Sequence, residues 1–232
     1  MPTLPKKRFL AWSYSRLVDW ELCPFRAAKV HLEKQRGPGS PQMTRGGQVH
    51  DVAAEWLTRP KAGNLPEVLM NFSSEFKDLR KLKPECEGEW AFDKLWKPSE
   101  WFGNGAWLRV KLDAFALVGK KKDAAIAVDH KTGRHNDDNV AQYKDQLKLY
   151  AVAVLSREPK VNTVHNKLWF LDAGKEEVEE FHRKDLPELQ DYWAKRATPM
   201  LNDSRFAPLP GMHCKAYGGC HLSKAKGGPC KY

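Results

Sequence analysis

An α/β fold, with a mixed sheet flanked by helices and a helical portion at its N-terminal end, is what three observations predict. Apolar residues recur at helical spacing through the first third of the chain and switch to strand alternation near Glu87. Alternating segments are then followed by a long amphipathic helix and a hairpin, an order that suits strands and helices layered on one core. The 232 residues are 41% hydrophobic, enough for one sizeable core. One domain over 1–232 is expected, made of a helical portion (12–60), a sheet-and-helix portion (87–183) and a cysteine-rich tail (205–232).

Taken in order, Ser13–Lys34 reads as two short helices split at Cys23-Pro24, because proline removes a donor and biases the residue before it away from helix. A Gly-, Pro- and Ser-rich stretch, Gly37–Gly47, reads as a loop. His50, Ala53, Ala54 and Leu57 then mark a helix over Val49–Leu57, and Leu65–Leu79 reads as an amphipathic helix. Gly88–Trp96 and Trp107–Val118 read as strands, with Leu108, Val110 and Leu112 alternating against Arg109, Lys111 and Asp113. After the Gly119–Asp123 turn, Ala124–Thr132 is a further strand. A helix capped by Asp138 or Asn139 follows, with Val140, Tyr143, Leu147, Tyr150 and Val154 as its inner stripe. Val164–Leu171 and Glu177–His182 form a hairpin about Asp172-Ala173-Gly174, and Leu186–Leu201 a last helix.

The formal charge of +10, with 9 Trp for stacking, favours a polyanion, and nucleic acid ranks above membrane as the partner. No apolar run approaches the roughly 18 residues needed to cross a bilayer. The first residues lack an apolar signal core, and five cysteines is an odd number, so a reducing, cytoplasmic setting is expected. Neither GKT nor GKS occurs, which gives no sign of a P-loop.

Chemistry concentrates in Val110–Tyr150. Alternation sets Asp129 and Lys131 on one strand face, with small Ala125 and Ala127 before them leaving room for a ligand. Asp113 lies on the neighbouring strand, and Gln146 and Tyr150 share one helix face at i and i+4. Two carboxylates can fix Mg²⁺ or Mn²⁺ with coordination places left open, and a lysine beside them can steady a phosphate or act on the attacking water. Asp113 and Asp129 are the expected bridging ligands, with the Val128 or His130 carbonyl as a supplement. Hydrolysis of a phosphodiester is the reaction this set suits.

The ordered set Gly46-x-x-x-His50, Leu112-Asp113, Val128-Asp129-His130-Lys131-Thr132-Gly133 and Gln146-x-x-x-Tyr150 resembles the PD-(D/E)XK nuclease superfamily. It looks like the RecB-type exonuclease branch, which includes the AddB nuclease domain, CRISPR-adaptation nucleases and many phage exonucleases. The resemblance implies a restriction-endonuclease-like fold and makes His50 a further ligand of the Mg²⁺ or Mn²⁺ ion. Leu112 stands where the name-giving proline does, and Asp129 where many members have Glu. Glu89 is a weak match to an acidic residue sometimes found on the first strand. In members carrying a [4Fe–4S] cluster, one cysteine lies near the N-terminus and three near the C-terminus; Cys23, Cys214, Cys220 and Cys230 match those places. Five residues separate Cys214 from Cys220, wider than related tails have, and His213 and His221 flank the set, so Zn²⁺ is the alternative metal. Cys86 is left as a buried or strand-adjacent thiol.

A Mg²⁺- or Mn²⁺-dependent DNA exonuclease is therefore expected, acting on single strands or duplex ends in phage or bacterial replication, recombination or repair. It would work alone or beside a separate helicase, recombinase or integrase. The alternatives are a nuclease trimming ends for CRISPR adaptation and a noncatalytic DNA-binding or assembly subunit that keeps the fold.

Overall fold

The computed structural model describes residues 8–61, 63–215 and 219–232. They divide into two compact units, residues 40–192 and residues 1–39 with 193–232. No helix among the described residues is long and apolar enough to cross a membrane.

In the larger unit, α3 (Pro41–Thr58) starts eight residues before the expected helix. Ser40 caps it, its hydroxyl accepting from the Met43 amide, and Pro41 takes the first helical position, where its missing N–H costs nothing. The glycines that suggested a loop lie inside the helix. A tight turn over Glu67–Phe72 leads into α4 (Ser73–Lys81), so the expected Leu65–Leu79 helix is two elements.

β1 (Glu85–Phe92) is shorter than expected at its end, because Asp93 accepts from the Leu95 and Lys97 amides and turns the chain. Two residues, Pro98–Ser99, pair back as β2. Then come β3 (Leu108–Val118), β4 (Ala124–Lys131), α5 (Asp137–Arg157), β5 (Thr163–Phe170) and β6 (Lys175–His182). The sheet order is β2-β1-β3-β4-β5-β6. All pairs are antiparallel except β4–β5, and the parallel pair is joined through α5, as a parallel connection requires. Asn136 caps α5, two residues before Asp138 and three before Asn139, the expected caps, and Asp137 and Asp138 sit in the first turn where the helix dipole favours negative charge.

The core of this unit joins Val49, Ala53, Trp56 and Leu57 of α3 to Phe76 and Leu79 of α4. These pack on Ala114, Ala116, Val128 and Trp169 of the sheet. The small alanines let the helices approach, and Phe76 sits against the rings of Trp169 (5.1 Å), His130 (5.3 Å) and Trp56 (6.3 Å).

In the smaller unit, α1 (Tyr14–Leu22) and α2 (Pro24–Ala27) break at Cys23-Pro24 as expected, and α2 runs into a wider turn over Ala28–Leu32. Helix α6 (Leu186–Asn202) enters this unit at Trp193, whose ring stacks on Trp12. The Trp20 indole donates to Asp203, and Arg196 grips Glu21 with two nitrogens. The tail is held by main-chain bonds from Cys220 to Cys214, Cys230 to Leu222 and Lys224 to Tyr232. Only glycine fits at 228, where a Cβ would run into the backbone of Leu222.

Phe76→Ala removes a ring that is fully buried. It is expected to lower stability by about 3–5 kcal/mol, read as a drop in urea midpoint at unchanged slope.

Candidate active site

The sheet register places three carboxylates in one row. Glu85 pairs with Phe115, Cys86 with Ala114 and Gly88 with Leu112, so Glu87 falls opposite Asp113. Ala114 pairs with Val128, and one step further along the same ladder Asp113 meets Asp129. The β3–β4 ladder stops at that step, and a side chain takes over: the His130 amide donates to Asp113 Oδ2 at 2.8 Å.

Two neighbouring arrangements result. The first is a donor set. His50, on α3, has Nδ1 3.2 Å from Asp113 Oδ1, and one donor atom from each of His50, Glu87 and Asp113 lies within 4.8 Å of the other two. Gly46 explains how α3 comes so close, since a Cβ there would already stand 3.4 Å from Thr132 Oγ1 in the loop after β4. Glu87 adopts a left-handed backbone (φ 55°), costly for a residue with a side chain. Its Oε2 meets Lys111 Nζ at 2.5 Å, while Oε1 is buried without a hydrogen-bond partner.

The second arrangement is a closed ring. Lys131 Nζ lies 2.5 Å from Asp129 Oδ2 and donates to Gln146 Oε1 at 3.4 Å. Gln146 Nε2 donates to the Tyr150 hydroxyl at 2.8 Å, and that hydroxyl donates to Asp129 Oδ1 at 2.9 Å. The face of Tyr143 lies 4.2 Å from the ammonium and attracts it further. Both oxygens of Asp129 are thus engaged, so this carboxylate stands beside the donor set rather than within it.

Electrostatics separates the two aspartates. Burial pushes both carboxyls upward, but the hydrogen bond with His50 and the fields of His130 and His50 hold Asp113 below the ordinary range. Asp129 stays raised: burial outweighs the Lys131 cation, and Asp113 adds repulsion. Although burial disfavours its charge, Lys131 is raised because the Asp129 carboxylate favours its protonated, cationic form. The Tyr150 phenol is pushed well above its usual value by burial and by both aspartates, which keeps it a donor.

All six residues expected from the sequence, His50, Asp113, Asp129, Lys131, Gln146 and Tyr150, fall in this one region. Glu87 is the addition. Glu89 is exposed and pairs opposite Lys111, one step away along the strand face.

The cysteines form a separate group in the smaller unit. Cys23, Cys214, Cys220 and Cys230 line one pocket together with His213, Pro208, Leu209 and Leu222. Among the described residues no three of these sulfur and imidazole donors lie within 4.8 Å of one another. His213 Nε2 is buried without a partner, whereas His221 turns elsewhere, with Nε2 3.1 Å from the Gln35 carbonyl. Cys86 lies in the larger unit, where burial pushes its thiol up to about 12.

Residues 11–224 match the sequence profile of the PD-(D/E)XK nuclease superfamily, and the chain belongs to that superfamily. Its mixed six-stranded sheet flanked by helices is the restriction-endonuclease-like fold expected of it. No curated protein matches the sequence. Among solved structures, the crystal structure of SSO0001 is similar at 16% identity, over 90% of this chain and 84% of that one, with a TM-score of 0.43. That likeness is too loose to bear on function.

His130 yields a pH test. Burial pushes its pKa from 6.5 down to about 4, against an opposing pull from Asp113. Between those values the unfolded chain binds more protons than the folded one, so stability rises with pH across that window and is lost as pH falls. In metal-free protein this group is expected to remove on the order of 3 kcal/mol between pH 7 and pH 4. His130→Leu should flatten that part of the urea-stability profile; an unaltered slope would contradict a neutral buried imidazole.

Proposed function

We propose that this chain is a Mg²⁺- or Mn²⁺-dependent DNA exonuclease of the RecB/AddB-like branch. The carrying observation is the ring of Asp129, Lys131, Gln146 and Tyr150 set beside the donors His50, Glu87 and Asp113. One imidazole and two carboxylates suit a hard divalent ion that keeps open positions, and the unpartnered Glu87 Oε1 gives such an ion a ready ligand. Asp129 lies beside the set on β4, one register step on from the Ala114–Val128 pair, where Lys131 and Tyr150 hold its carboxylate. When bound, the ion supplies Lewis-acid stabilisation of the phosphate and a more acidic water.

The protein's own part is positioning. Lys131 is held as a cation by Asp129, so its role is to orient the nucleophilic water and steady charge growing on the phosphate; removing the water's proton is not its task while that pair stands. Gln146 and Tyr150 fix the lysine and the carboxylate from one helix face. The net charge of +10 favours approach of a phosphate backbone.

The same reading assigns a [4Fe–4S] cluster to Cys23, Cys214, Cys220 and Cys230, which face one pocket. A single Zn²⁺ draws its sulfurs to about 3.8 Å apart, from Zn–S bonds of about 2.3 Å in a tetrahedron. A four-iron cluster places each thiolate on a separate iron and so accepts sulfurs set further apart than one zinc ion does. Its role would be to staple the tail to the Cys23-Pro24 break. The setting proposed is cytoplasmic, in phage or bacterial DNA replication, recombination or repair.

End-labelled linear DNA with Mg²⁺ or Mn²⁺ tests the activity. Lys131→Ala, Asp113→Asn and Asp129→Ala should each lower cleavage by about 100-fold or more at retained melting temperature. Full activity in any of them would sink the site, and efficient nicking of circular DNA would overturn exonuclease action. Anaerobically purified protein should be brown with about four irons per chain, a content lost in Cys23→Ser. Stoichiometric zinc would replace the cluster assignment.

A further inference from the structure

Immediately beyond Lys131 the chain opens a second polar site that the catalytic ring does not use. Thr132, Gly133, Arg134 and His135 form one wall of an open pocket, and Asp172, Ala173 and Lys175 form the other. The walls are braced. The Leu171 amide donates to the Lys131 carbonyl at 2.8 Å, tying the loop after β4 to the β5–β6 turn. Asn71 Nδ2 donates to the Leu171 carbonyl at 2.9 Å, and Gly174 supplies the left-handed residue (φ 59°) that closes the turn.

Charge in this pocket is unbalanced. Asp172 is its one carboxylate, and both of its oxygens are taken by Arg45 at 2.7 Å. His135 Nε2 is engaged with Glu177 at 2.9 Å. Arg134 and Lys175 are exposed, and neither forms an ion pair among the described residues. Two cations without counter-ions therefore line a pocket that begins one residue past the catalytic lysine, on the order of 3 Å along the chain.

We propose that this pocket is a subsite for a backbone phosphate of the substrate strand next to the scissile one, with Arg134 and Lys175 as its cations. The assignment rests on the nuclease reading above and deepens it. Arg134 offers a planar fork that suits phosphate oxygens, and Lys175 a compact charge from the facing wall. Such a contact holds the strand in register with Lys131 and carries no base preference.

Binding of a fluorescein-labelled oligonucleotide to the full chain in EDTA, from 50 to 300 mM salt, tests this. Each lost phosphate contact should lower the slope of log K against log salt by about 0.7–0.9. Arg134→Ala/Lys175→Ala should therefore lose about 1–2 units of slope and bind roughly tenfold more weakly at 100 mM salt. Arg134→Lys, which keeps the charge, should retain most of the slope. With metal present, the double variant should raise KM more than it lowers kcat. An unchanged slope and KM in a double variant that melts like the parent, while the parent binds and cleaves DNA, overturns the subsite and leaves the nuclease reading standing. A parent that neither binds nor cleaves DNA overturns both.

Discussion

Three acidic side chains share one row across three neighbouring strands, and most of what is unusual in the larger unit answers that crowding. Glu87, Asp113 and Asp129 are brought level by register alone. At an interstrand spacing near 4.8 Å, two carboxylates repel by roughly 3–4 kcal/mol at the effective dielectric of a partly buried site. Each has its own remedy: Lys111 for Glu87, His50 and the His130 amide for Asp113, and Lys131 with Tyr150 for Asp129. A divalent cation would quiet the whole row at once, which is the sense in which the metal belongs to the fold as much as to the chemistry.

The row also explains a backbone irregularity. Glu87 is left-handed in the middle of a strand and makes no ladder pair, and strain of this kind costs of order 1–3 kcal/mol. It is placed where a carboxylate is turned toward His50 and Asp113. His130, between Asp129 and Lys131 in the chain, has its ring among Phe76 and Trp169 with neither nitrogen hydrogen-bonded. The unit tolerates both because its core of α3, α4 and the sheet is otherwise apolar and closely packed.

Much of this was legible in the residues themselves. Strand alternation is strict over Leu108–Asp113, and the i, i+4 relation of Gln146 and Tyr150 depends on one helix only, so local spacing sufficed to bring out their shared chemistry. Glu87 was not legible, because Glu87 and Glu89 have the same parity on β1 and both look toward Asp113's face. Only the register with β3, a long-range property, decides which is level with it. The start of α3 was missed for a different reason: Gly46 and Gly47 read as loop, while the Ser40-Pro41 signature of a helix start lay within the same polar stretch. Likewise the turn at Asp93 divided what alternation alone extended to Trp96.

The two halves of the catalytic region differ in where along the chain they come from. The ring of Asp129, Lys131, Gln146 and Tyr150 is drawn from a single strand-to-helix passage, the crossover that joins the parallel strands. The donors His50, Glu87 and Asp113 come from a helix and two strands earlier in the chain. The lysine's cradle is thus nearly a local structure, closed by short loops, while ion capture depends on distant segments meeting. The two halves still share a foundation, because α3, which carries His50, packs on Val128 of the strand that carries Asp129 and Lys131.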